Sequence, residues 1–264
     1  MAEASFDIIT ECAKYIGIDK YTEGIPAFAF EKNLKSEDVE LISNVFDFIR
    51  QAKHTSVTDT LLKFSRLPKA SPRTFQNFDF DRIQGPDKES LKSLPSLSAI
   101  YSGKNLAFIG PTGLGKTHLA MALGMECITK EMKSYFLKAS ELNEKFTEAR
   151  KFGRESSVIT GLVMPTCLIV DEIGHCVFDK ENTRLFFDMV DRRYSKEPPN
   201  CMIFTSNVDP SCWKEFFSSD PDLLCSLDRI FDNAQVYTFH GESYRGRKCE
   251  TLTVEIRDKV SLNK

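Results

Sequence analysis

Two rhythms of apolar and polar positions divide this chain. From Phe6 to about Leu67 the spacing is helical and rich in polar residues. Ser36-Glu37-Asp38 makes a helix start, after which Val39, Ile42, Val45, Phe46 and Ile49 fall on one face. A second, shorter helix is expected over Thr58 to Ser65, with Leu61, Leu62 and Phe64 available for packing. Arg66 to Arg73 holds two prolines, neither of which can donate a backbone hydrogen bond, and reads as a linker. Beyond it the rhythm changes. A helix from about Asp87 to Tyr101 leads into short apolar runs of strand length: Leu106–Ile109, Ser134–Leu137, Cys167–Val170, Cys201–Phe204 and Gln235–Phe239. Helical stretches separate them: Lys116 to roughly Thr129, Glu141 to Lys151 capped by Ser140, and Lys180 to about Tyr194. Alternating strands and helices predict an α/β domain. The expected organisation is a helical N-terminal region over 1–67, a linker over 68–74 and the α/β domain over 75–264.

Chemistry concentrates where the first strand ends. Asn105 to Ala120 reads NLAFIGPTGLGKTHLA, a strand followed by a complete G-x-x-x-x-G-K-[ST] pattern. Gly110, Pro111, Thr112, Gly113, Leu114, Gly115, Lys116 and Thr117 form a loop whose backbone N–H groups can turn inward around phosphate oxygens. Side chains at the crowded glycine positions would block that approach. Lys116 is placed to reach the β- and γ-phosphates, and the Thr117 hydroxyl to ligate a Mg²⁺ ion. The following helix aims the positive end of its dipole at the same anion. His118 belongs to this nucleotide-binding stretch but has no catalytic role assigned. Upstream, Phe75, Phe78 and Phe80 place three aromatics directly before the domain. Phe78 either packs beside an adenine base or is plain core.

The third strand runs straight into Asp171-Glu172, a Walker B arrangement that puts two carboxylates at the carboxyl end of a buried parallel strand. Asp171 is the expected Mg²⁺ ligand, and Glu172 the group that orients and deprotonates the attacking water. The fourth strand delivers Thr205-Ser206-Asn207, where an uncharged amide can bond the γ-phosphate or the water. Along the 141–154 stretch, Leu142, Phe146 and Ala149 face inward, while Lys145, Arg150, Lys151 and Arg154 line the outer edge. Such an edge is either a solvated face or a phosphate contact.

With a formal charge of -3 and a pI near 5.9, the chain shows no global attraction for nucleic acid, so DNA contact has to come from local patches. The eight cysteines form no C-x-x-C pair and have no histidine cluster nearby, which argues for reduced, mostly buried thiols rather than a zinc site. No apolar run approaches the ~20 residues that span a bilayer. The acidic start MAEASFDIITE lacks a signal layout, so a cytoplasmic location is expected.

The series GPTGLGKTHLA, CLIVDEIG, FTSN, a Trp213-containing helix, LDRI and GESYR resembles IstB, the ATPase helper encoded beside the transposase of a class of insertion sequences. More distantly it resembles the DnaC-type helicase loaders. The resemblance runs from about Phe75 to Arg245 and touches TLLKFSRLP before it. It implies an AAA+ P-loop fold, a five-stranded parallel sheet flanked by helices. ATP would lie between subunits that assemble into an oligomer on DNA and assist a transposase. By position, Arg229 corresponds to an arginine finger offered to a neighbour's ATP, Arg245 to a second, sensor-type arginine, and the helix from Glu141 to Arg154 to the DNA-contacting element. Two other readings share the nucleotide residues: a replicative helicase loader, and a nucleotide-gated binding protein that hardly hydrolyses ATP. Glu172 and Arg229 argue against the last, since a pure switch needs neither a base nor a finger.

Overall fold

In a computed structural model, residues 2–218, 227–241 and 243 are described. The N-terminal region is helical: α1 (Ala2–Ile16), α2 (Asp19–Thr22), α3 (Ile25–Glu31) and the 30-residue α4 (Ser36–Ser65). Ile9, Ala29 and Val39 form its small core, with Phe6, Ile42 and Phe46 packed around them. The expected second helix at Thr58 is the continuation of α4. Its polar stretch stays helical, with Thr55, Thr58 and Thr60 turning their hydroxyls onto the carbonyls of Gln51, His54 and Ser56, one turn back. Val45 and Ile49, expected to face inward, are 49% and 42% exposed, because the inward stripe is narrower than the apolar pattern. The C-terminal half of α4 sends Leu61 and Leu62 against the core of the α/β domain, where Leu67 is fully buried.

The stretch expected to form one helix over Asp87–Tyr101 is broken into α5 (Lys88–Lys92), a short 3-10 turn (Leu94–Ser96) and α6 (Ser98–Tyr101). Pro95 sits in the turn, and Leu97 adopts left-handed φ of 57°, so the chain changes direction twice.

Five parallel strands follow: β1 (Asn105–Ile109), β2 (Ser134–Lys138), β3 (Cys167–Ile173), β4 (Cys201–Ser206) and β5 (Ala234–Thr238). They lie in the order β2-β3-β4-β1-β5. The connecting helices are α7 (Lys116–Thr129), α8 (Ala139–Phe152), α9 (Glu155–Val163) and α10 (Lys180–Tyr194). A further helical segment spans 227–231. Two apolar layers sandwich the sheet. One, holding Leu119, Leu123 and Ile169, lies under α7; the other, holding Phe146, Phe186 and Trp213, lies under α8 and α10. α8 begins one residue before the expected Ser140 cap: Lys138 is the extended N-cap, and its N–H donates to the Glu141 carboxylate at 2.9 Å.

Six cysteines among the described residues are free thiols, four of them buried, and no group of three or more potential metal-ligating residues forms. Cys225 and Cys249 lie outside the described residues. No described helix is long and apolar enough to cross a membrane.

Candidate nucleotide site

Parallel strands deliver their C-terminal ends to one edge, so β1, β3 and β4 bring their following residues together there. Gly110, just past β1, has a φ of 137°, and a Cβ on it would lie 2.3 Å from the Phe239 carbonyl. Only glycine lets the loop turn this close to the strand edge. Lys116, in the first turn of α7, is 6% exposed, and its ammonium folds back onto its own loop. It donates to the carbonyls of Gly110 and Pro111 at 2.6 and 2.7 Å and to Asn207 Oδ1 at 2.9 Å. The sequence-predicted lysine and amide therefore meet directly.

Asp171 lies at 2% exposure and accepts two hydroxyls on Oδ1, from Thr117 at 2.8 Å and from Thr205 at 2.6 Å. Burial pushes its carboxyl above the ordinary value of 3.8, and the two hydroxyls partly oppose that rise. Asp171 and Glu172 are consecutive, so in a regular strand they would point to opposite faces of the sheet. The β3–β4 register shifts between Val170 and Ile173, and Glu172 has a φ of 61°. This bulge re-aims Glu172 into the cavity beside Lys116. Thr205 pins it by accepting the Glu172 N–H at 3.0 Å while donating to Asp171. The Glu172 carboxylate pairs with Lys138 Nζ at 2.8 Å, and that bond holds the lysine above its usual pKa. Asn207 Nδ2 faces His175 Nε2 at 3.1 Å.

Lys116, Thr117, Glu172, His175, Thr205 and Asn207 line a cavity of about 430 Å³, together with Arg73, Thr112, Gly113 and His118. A second cavity of about 620 Å³ adjoins the loop at Leu114 and is walled by 82–88 and 235–240. Its volume and apolar wall of Ile83, Leu114 and Phe239 suit a flat ring system. Phe78 lines neither cavity. Its ring lies so close to the loop that a Cβ on Gly115 would be 2.7 Å from it, and it meets Phe80 and His118 edge-on. Phe78 thus packs against the phosphate loop and its neighbouring aromatics. His118 is tied down likewise, Nε2 at 2.9 Å from the Thr74 carbonyl, and burial lowers its pKa.

The IstB-like ATP binding protein family matches this chain over residues 26–251. The chain belongs to that family. The match begins well before the Phe75 boundary suggested by the motifs and takes in most of α3 and all of α4. A relative from insertion sequence IS5376 of Geobacillus stearothermophilus, named for ATP binding, is 34% identical over 196 residues, covering 74% of this chain and 76% of its own. Another, from insertion sequence IS232 of Bacillus thuringiensis and likewise named, is 28% identical over 243 residues, covering 91% and 95%. Among solved structures, the DnaC helicase loader superposes with a TM-score of 0.50 at 17% identity, covering 62% of this chain and 97% of that one. DnaI does so with 0.53 at 16%, covering 66% and 95%. The fold is the AAA+ P-loop fold of these neighbours, a five-stranded parallel sheet with flanking helices.

Of the residues assigned by resemblance to the IstB-like family, the described ones line neither of these two cavities. Arg229, in the 227–231 helical segment, lines neither cavity; its side chain is 45% exposed and ion-paired with Asp191 of α10. Arg245 lies outside the described residues. Lys145 and Arg150 are half-buried on α8, and Lys151 and Arg154 are exposed at its end. Arg150 is committed to Asp179, at 2.8 and 3.0 Å, and to Asn182 at 3.0 Å. Sequence reading missed three polar neighbours of the nucleotide residues: Arg73, Lys138 and His175. Their only signal was proximity in sequence to a motif or strand end, which no spacing rule singles out.

Proposed function

We propose that this IstB-like ATP-binding protein is an ATPase that assembles on DNA and assists a transposase. The observation that carries the ATPase part is the convergence of Lys116, Thr117, Asp171, Glu172 and Asn207 at one sheet edge. Thr117 and Asp171 supply only hard oxygens, the donor type Mg²⁺ selects, and with so few protein ligands the ion would complete its shell with phosphate oxygens and water. When bound, Mg²⁺ neutralises charge on the transferring phosphoryl group. Lys116 binds phosphate oxygens in exchange for its present carbonyl partners. Glu172 takes the proton of the attacking water, and Asn207 orients the γ-phosphate end without adding charge.

Arg229 serves a neighbouring subunit's nucleotide; its absence from the lining of both local cavities and its half-exposed position support that assignment. Lys145, Lys151 and Arg154, with Arg150 behind them, offer the local positive edge that a chain of net charge -3 needs for DNA contact. The insertion-sequence names of the relatives support a transposase as partner. The alternative, a helicase loader, draws on the DnaC and DnaI likeness, which is a likeness of fold.

The test is ATP binding and turnover of two variants. Lys116→Ala should lose a charge-assisted contact worth roughly 1.5–3 kcal/mol and bind ATP at least about tenfold more weakly. Glu172→Gln should bind ATP like the parent yet hydrolyse it at least about a hundredfold more slowly. Parent-like turnover by Glu172→Gln would assign the base to another residue.

A further inference from the structure

Lys116 carries only donors, so the oxygen of the Asn207 amide must be the atom that faces it, as the 2.9 Å contact records. The amide nitrogen therefore points the other way, where it has two hydrogens to give and nothing to accept with. The atom it meets at 3.1 Å is His175 Nε2. That nitrogen can close the contact only as an acceptor, so the ring must be neutral with its proton on Nδ1.

The position of His175 is itself held. Gly174 takes a φ of 102°, and a Cβ there would lie 3.2 Å from Val208 and Phe216, so the turn after β3 is pressed against the segment that carries Asn207. The His175 N–H returns to the Glu172 carbonyl at 3.2 Å. The Walker B strand and the Asn207 loop are thus joined through one imidazole, which also lines the cavity.

We propose that His175 is a positioning residue for Asn207: by accepting from Nδ2 it selects the amide orientation whose oxygen meets Lys116. Flipped, the amide would present its NH₂ to the ammonium, and Lys116 would lose a partner while Asn207 faced the nucleotide with the wrong atom. The inference rests on the proposed role of the Lys116–Asn207 pair in ATP turnover, and it assigns the orientation of that pair to a residue outside both Walker motifs.

Two measurements decide it. The first needs no turnover: long-range ¹H–¹⁵N correlation of the ring nitrogens, at a pH where the ring is neutral, in a chain that has four histidines. His175 is expected as the Nδ1–H tautomer in the parent and as a mixture in Asn207→Ala. An Nε2–H tautomer in the parent overturns the proposal, whether or not the chain hydrolyses ATP. The second is kinetic. His175→Phe, which keeps a ring but has no acceptor, should lower kcat about three- to tenfold with little change in the KM for ATP. His175→Gln, whose side-chain oxygen accepts, should recover most of the loss. In an Asn207→Ala background His175→Phe should cost nothing further. Parent-like kcat in His175→Phe, equal loss in His175→Gln, or an undiminished loss without Asn207 each overturns the proposal. An inactive parent with the expected tautomer would instead count against the ATPase reading alone.

Discussion

Asp171 is the residue at which stability and function pull apart. It is a carboxylate at 2% exposure whose pKa burial raises above 3.8. A raised acid favours the folded state most below its unfolded value, and that contribution is lost as pH rises through the folded value, so at neutral pH its charge is a cost to folding. Asp171→Asn keeps an oxygen to accept the Thr117 and Thr205 hydroxyls and removes the charge. It should raise unfolding stability by roughly 0.5–2 kcal/mol in urea titration without nucleotide, while Mg²⁺-dependent ATP hydrolysis falls steeply. Lower stability would mean that the ionised group is satisfied by partners beyond the two hydroxyls. The place of this residue, buried near the carboxyl end of β3, was legible in the sequence because four apolar positions before an acid pair mark a buried strand ending in acids. Its neighbours were not: the bulge that turns Glu172 into the cavity, and the Lys138 and His175 contacts, arise from backbone geometry and from segments 32 or more residues apart, which no local pattern encodes.

At the scale of elements, the end of the sheet opposite the nucleotide residues is organised by one side chain on α10. Arg193 is fully buried and donates to the carbonyls of Leu162, Val163, Pro165, Thr166 and Cys201, at 2.8–3.3 Å. These are carbonyls at the C-terminus of α9, which the helix cannot satisfy itself, together with the entries to β3 and β4. Lys196 adds contacts to Val163, Met164 and Pro165. Burial lowers Arg193 to about 10 and Lys196 to about 8. Arg193→Met fills similar space but strands five acceptors, so it should cost about 3–5 kcal/mol, read as a drop in Tm with the nucleotide residues untouched. Sequence reading placed α10 correctly and could not see this, since an arginine one residue from a helix end reads as an ordinary dipole-favourable cation. The break expected in α4 has a related origin. A polar run of threonine and serine weakens the apolar period that sequence reading relies on, whereas the hydroxyls fold back onto the preceding turn without interrupting the helix.

At the scale of the whole molecule, the proposed activity requires copies of the chain to meet one another and DNA. A chain of charge -3 has little long-range pull on a duplex, so binding should depend on several copies aligned by ATP and should weaken sharply with salt. Replacing Lys145, Lys151 and Arg154 by alanine should reduce affinity for all sequences alike and flatten the salt dependence, by up to about one unit of slope for each phosphate that is no longer neutralised. Arg150 is best left in place in that variant, because it anchors Asp179 and Asn182 at the start of α10. The arrangement of subunits makes a sharper demand on Arg229. Half exposed and ion-paired with Asp191, it lines neither of the two cavities at the phosphate loop, so the proposed action on ATP would have to cross a boundary. Guanidinium stays charged and can meet two phosphate oxygens at once, and such a finger contributes roughly 10³- to 10⁵-fold to turnover. Arg229→Ala should therefore bind ATP nearly normally and hydrolyse it poorly. Mixed with Lys116→Ala, itself nearly inactive, it should regain activity. An interface at which the Arg229→Ala chain supplies the nucleotide residues and the Lys116→Ala chain supplies the arginine has every working part. If light scattering shows mixed assemblies and turnover stays at the level of the separate variants, Arg229 does not act across the interface, and its pairing with Asp191 would be left as a contact within one chain.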